Sequence, residues 1–128
     1  MPLAEERAEG LYLVRWVSER SIRIDDAEFE SSLLIMPDRV WRDFPARNLA
    51  DLAPAVIAEV LALTPQLVIL GTGPRQVLPS PELMGAFLSR GVGLEAMDTA
   101  AAARTYNLLA MEGRSVAALL LMDRVGAD

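Results

Sequence analysis

Leu67-Val68-Ile69-Leu70-Gly71-Thr72-Gly73-Pro74 is the stretch that decides the fold. Four consecutive apolar side chains are too few for a stable helix and present no polar face, so they read as a strand buried on both sides. The strand ends where two glycines permit a sharp turn and a proline stops the ladder. A helix is predicted on either side of it. Upstream, Ala55 to Leu63 is helical, with Pro54 suited to the first turn. Downstream, Ser80 is an N-cap, Pro81 takes the first helical position and Glu82 favours the positive dipole end. That helix runs to Ser89 or Arg90 and stops at Gly91.

The same rhythm continues to the C-terminus. Gly93 to Met97 is a strand, and a third helix opens at Asp98 or Thr99 and closes at Gly113. Ser115 to Met122 is a second apolar strand. Strands alternating with helices imply an α/β fold. The first third differs. Leu11 to Val17, Ser21 to Asp25, Ser32 to Met36 and Val40-Trp41 are short β-prone runs, the last two separated by a Pro37-Asp38 turn. They predict an antiparallel, hairpin-rich region. Residues 1–10 read as a frayed or short helical start, and residues 1–128 as a single domain.

The chain has 128 residues, of which 52% are hydrophobic, so a core needs no disulfide or metal. Its formal net charge is −6, which argues against nucleic acid as a partner. The chain contains no Cys, His or Lys, and all 12 basic residues are Arg. Thiolate chemistry, imidazole proton transfer, Schiff bases and phosphate-loop lysines are therefore excluded. No cofactor or metal site is expected. The opening MPLAEERAEG carries no secretory signal, and no apolar run reaches the ~20 residues that span a bilayer. The expectation is a cytoplasmic chain without membrane insertion.

Two segments could hold a ligand or partner. Gly71-Thr72-Gly73-Pro74-Arg75 follows the buried strand, where open α/β sheets place their sites. It is neither a dinucleotide fingerprint nor a Walker loop, because the glycine spacing is wrong and the next helix starts too late. A plain strand-exit turn is the structural alternative. The second segment is Thr99 to Asn107, whose four alanines make a smooth helix surface. Arg104, Asn107 and Met111 fall on one face, with Ala102, Tyr106 and Leu109 toward the core. Arg104 and Asn107 together offer donors for an anion or a partner's carboxylate. The structural alternative pairs Arg104 with Glu95 or Glu112 and uses Asn107 to tie down a loop. The acids between Asp25 and Glu30 read as a solvated loop, because their spacing fits no cation-binding loop. Trp16, Phe29, Trp41 and Phe44 read as core or rim.

Leu70-Gly71-Thr72-Gly73, Pro81-Glu82-Leu83, Gly91 to Thr99, Ala103 to Leu109 and Glu112 to Ala118 occur in an order and spacing similar to one family. It includes mitochondrial complex I assembly factor 3 and the adipogenesis-associated Mth938-type domain proteins, and this chain resembles a bacterial member. The resemblance implies a three-layer Mth938-like α/β fold with a mixed central sheet. Family members often carry Cys where this chain has Ala103, so a thiol role is void here. It also implies a non-catalytic protein-binding domain, an assembly factor for a respiratory complex. The alternative is a small anionic-ligand module or weak enzyme using the Gly71–Gly73 turn with Arg75 or Arg104. A homo-oligomer is a further expectation, from the positive mean hydropathy of +0.27.

Overall fold

A computed structural model describes residues 4–6 and 10–123. Nine strands and three helices occur among them: β1 Ala4–Glu6, β2 Val14–Val17, β3 Ile22–Ile24, β4 Ala27–Phe29, β5 Leu33–Met36, β6 Arg39–Trp41, α1 Pro54–Leu61, β7 Leu67–Gly71, α2 Pro81–Leu88, β8 Gly93–Met97, α3 Thr99–Met111 and β9 Val116–Leu120. A short 3₁₀ turn spans Leu49–Asp51.

Leu67 to Gly71 occupies the middle of the parallel half of a six-stranded sheet ordered β1-β6-β5-β9-β7-β8. β7 runs parallel to both β8 and β9, while β9-β5, β5-β6 and β6-β1 are antiparallel, so the central sheet is mixed. The hairpin region forms part of this sheet and a separate antiparallel sheet, β2-β3-β4. Both faces of the central sheet are covered, which is why β7 and β9 are apolar at every position. Ile69, Val116, Ala118 and Leu120 pack with α3 and the small sheet. Val68, Leu70, Ala117 and Leu119 point the other way, toward α1 and α2. Three layers result, as the family resemblance implied.

The caps form as their residue types dictate. Ser80 Oγ accepts the Leu83 N–H at 3.1 Å, and Asp98 Oδ1 accepts the Ala101 N–H at 2.9 Å. Gly91 and Gly113 end their helices at φ +74° and +82°, where a side chain would be strained. Ala102, Ala103 and Ala110 bring α3 close to the sheet, and Tyr106 is wholly buried among them.

Three expectations need correction. Residues 4–6 form β1 against β6, not a helical start; the remainder of residues 1–9 lies outside the described residues. The acidic run contains β4: Asp25 turns the chain at φ 53°, Glu28 faces Arg23 across the hairpin at 3.1 Å, and Phe29 is buried. Its alternation was hidden because only Phe29 of the strand is buried. The core-or-rim reading of the aromatic residues holds: Trp16 is 46% exposed at the rim, while Trp41 and Phe44 meet edge to face at 4.7 Å inside the core. Arg104 pairs with neither Glu95 nor Glu112 among the described residues, since it points away from the sheet into solvent.

Candidate functional site

The carboxyl ends of β7, β8 and β9 meet at the Gly71–Arg75 turn, which is held by its own Thr72 and by the Thr99 side chain of α3. Thr72 donates its N–H to the Met97 carbonyl at 2.9 Å. Its hydroxyl donates to the Arg75 carbonyl at 2.6 Å and accepts the Val77 N–H at 3.0 Å. Thr72 thereby closes the turn on itself. Gly73 donates its N–H to Thr99 Oγ1 at 2.8 Å, and the Thr99 N–H returns to the Gly73 carbonyl, also at 2.8 Å. Thr99 is buried at the first turn of α3, with its hydroxyl 3.4 Å from the Leu121 carbonyl. One residue thus ties the glycine turn, the third helix and the end of β9 together.

Two clefts flank this knot. One, of about 510 Å³, lies between the turn and the β2–β3 connection and is bordered by Ser18, Glu19, Gly73, Asp98, Thr99 and Asp123. The other, of about 400 Å³, lies toward the 3₁₀ turn and is bordered by Arg47, Asn48, Thr72, Gly73, Arg75 and Asp123. Asp123 links its walls, 3.6 Å from Arg47 and accepting from Asn48 Nδ2 at 3.2 Å. The structure therefore brings Gly71, Thr72, Gly73, Arg75 and Thr99 together around the turn.

Arg104 and Asn107 stand elsewhere. Asn107 sits on the flank of α3 beside β2: its Oδ1 accepts the Val14 N–H and its Nδ2 donates to the Val14 carbonyl, each at 2.8 Å. The carboxamide takes the place of a neighbouring strand and satisfies the edge of β2. Both ends of the Asn107 amide are thus engaged. Arg104 is exposed, and with Leu108 and Met111 forms a solvent stripe at i, i+4 and i+7 along α3, Leu108 and Met111 being 57% and 59% exposed.

Sequence reasoning missed Arg47, Asn48 and Asp123, which reach the cleft through chain folding and carry no local motif. It also missed a groove of about 750 Å³ on the opposite side of the sheet, between α1 and α2. Among the described residues no three or more acidic, His or Cys side chains gather as a metal site would require. No helix of the described residues is long and apolar enough to cross a membrane.

A mixed sheet with α1 and α2 on one face and α3 with a small antiparallel sheet on the other defines a Mth938-like domain. A Bordetella pertussis protein described as such matches with a TM-score of 0.76 and 31% identity, over 96% of this chain and 93% of that one. A Xanthomonas campestris protein solved by NMR matches at 0.83 and 42% identity, over 100% of this chain and 96% of its own. The chain belongs to the family described as "Protein of unknown function (DUF498/DUF598)", which matches residues 14–121. Among curated relatives, a "13 kDa major membrane protein" of Francisella tularensis subsp. holarctica is 26% identical over 94% of this chain and 99% of that protein. The expected similarity to complex I assembly factor 3 is also found. The Bos taurus protein named NADH dehydrogenase (ubiquinone) 1 alpha subcomplex assembly factor 3 is 38% identical over 56 residues, 44% of this chain and 30% of that protein.

Proposed function

We propose that this chain is a protein-binding domain without chemistry of its own, and that its partner is a component of a respiratory complex during assembly. The observation carrying this reading is the outer stripe of α3. That helix already buries Ala102, Tyr106 and Ala110, yet it presents Leu108 and Met111 to solvent beside Arg104, which has no ion-pair partner among the described residues. Apolar side chains beside an arginine are the composition of protein interfaces. The absence of His, Cys and Lys supports a binding role over a catalytic one, and the similarity to an assembly factor supports the choice of partner. The reading keeps the chain in the cytoplasm, held at a membrane through its partner, which is compatible with a relative named as a membrane protein.

The test is a quantitative crosslinking pull-down from native membranes, comparing wild type with the R104E/L108E/M111E variant. Because all three side chains are exposed, the variant should fold normally. Loss of respiratory-complex subunits from the variant's captured set is expected. An identical set from both proteins would sink the reading.

A second reading is favoured by Arg75, which has no ion-pair partner among the described residues and borders the 400 Å³ cleft with Arg47 and Asn48. A small anion would be held there by Arg75. The Gly73 amide is already spent on Thr99, and Arg104 is on another surface. Titration with inorganic phosphate should perturb the Arg75 region in wild type and leave Arg75→Ala unchanged; no response in wild type rejects this reading.

A further inference from the structure

The groove between α1 and α2 lies across the sheet from the α3 stripe, so it calls for an occupant of its own. Its floor is apolar, formed by Ile57, Leu61, Leu83 and Ala86. At one end stands Leu78, 75% exposed. Leu78 extends the apolar surface of the trough into solvent.

The charges on the groove decide what covers it. Glu82, in the first turn of α2, and Arg90, in the turn that closes that helix, both border it, and neither has an ion-pair partner among the described residues. They lie eight residues apart, on the order of 12 Å, the last two steps falling in the closing turn. Midway between them are Gly85 and Ala86; a Cβ built on Gly85 meets nothing within 4 Å. Small residues at the centre allow close approach of a second helix. A second α2 laid antiparallel about an axis at Ala86 places Glu82 of each copy against Arg90 of the other. The surface is therefore complementary to itself, which is what a twofold interface requires. The same rotation carries Leu78 of each copy to the Leu61 end of the other's groove.

We propose that this chain forms a twofold homodimer through the α1–α2 groove, with Glu82–Arg90 pairs crossing the axis and Leu78 as the apolar anchor. The apolar contacts supply the affinity, while the exposed charge pairs fix the orientation.

Sedimentation velocity over a concentration series tests this, with circular dichroism confirming that each variant folds. Wild type should pass from monomer to dimer, and Leu78→Glu should weaken the dimer about tenfold or more. E82R alone sets Arg against Arg at both crossings, and R90E alone sets Glu against Glu; both should be monomeric under the wild-type dimer's conditions. An equimolar mixture of E82R and R90E should form a heterodimer, since each crossing then pairs opposite charges. Helix-dipole penalties of the two substitutions would not recover on mixing, so this outcome is specific to the crossing. A wild-type protein monomeric to roughly millimolar concentration overturns the proposal. So does a dimer indifferent to Leu78→Glu, or a mixture that stays monomeric. A partner helix from another protein occupying the groove instead would give the first of these results. The α3 pull-down is independent of all of them.

Discussion

Thr99 and Gly73 exchange two hydrogen bonds of 2.8 Å, side-chain oxygen to N–H in one direction and backbone N–H to carbonyl in the other. Only the first depends on the side chain. Thr99→Val keeps the shape and removes the acceptor, leaving the Gly73 N–H without a partner in a partly buried turn. We expect a loss of about 1–3 kcal/mol in urea unfolding, with faster amide exchange at Gly73. Thr99→Ser retains the oxygen and should cost about 1 kcal/mol or less. Equal losses for Val and Ser would show that the hydroxyl contributes nothing.

Gly71 and Gly73 resist substitution for different reasons. A Cβ on Gly71 would lie 3.1 Å from the Thr99 backbone and from Leu120 Cδ2, so Gly71→Ala overpacks the junction and should cost about 1–3 kcal/mol. Gly73 has open space around it but a φ of +99°. Gly73→Ala should cost about 1–2 kcal/mol through backbone strain. Asparagine tolerates positive φ better than alanine, so Gly73→Asn should recover part of the loss, whereas Gly71→Asn should be worse than Gly71→Ala. Denaturant midpoints of the four variants check this, and the opposite order at either position would refute the assignment.

The glycine turn was legible because its signals are local. An apolar strand, two glycines and a proline must end in a tight exit, and Ser80, Asp98, Gly91 and Gly113 mark helix boundaries by their own chemistry. The groove between α1 and α2 was not legible. Periodicity tells which face of each helix is apolar but not how far apart two helices stand on a sheet. The 400 Å³ cleft was half legible: Thr72, Gly73 and Arg75 are contiguous, while Arg47, Asn48 and Asp123 arrive from distant segments. Asn107 was singled out for its polar side chain, but its partner Val14 is 93 residues away, and only the packing of β2 along α3 reveals it.

That pairing separates Asn107 from Arg104 sharply. Asn107→Leu would strand both the N–H and the carbonyl of Val14 beside an apolar side chain, at an expected cost of about 2–4 kcal/mol for the two groups. Arg104→Ala removes an exposed side chain with no ion pair among the described residues and should change stability by no more than about 0.5 kcal/mol. Thermal and urea unfolding of both variants give the comparison. A large loss at Arg104, or none at Asn107, would reverse the roles argued for them.

Tyr106 makes the fold sensitive to alkali. Its ring is buried and its hydroxyl donates to the Tyr12 carbonyl at 2.8 Å. Burial penalises the phenolate, and the negative charge of Asp38 adds to that penalty, so the Tyr106 hydroxyl titrates well above its ordinary range. A raised folded value stabilises the protein fully below the unfolded pKa of about 10 and loses that contribution as pH climbs above it, because only the unfolded chain then releases the proton. Wild-type stability should therefore fall through about pH 9.5–11.5, with a limiting slope near 1.4 kcal/mol per pH unit from this one group. Tyr106→Phe should be less stable at pH 7 by about 0.5–1.5 kcal/mol, the value of the lost hydrogen bond, and should decline more gently in alkali. The two stability curves converge as pH rises. Parallel curves across that interval would show that Tyr106 ionisation is not coupled to unfolding.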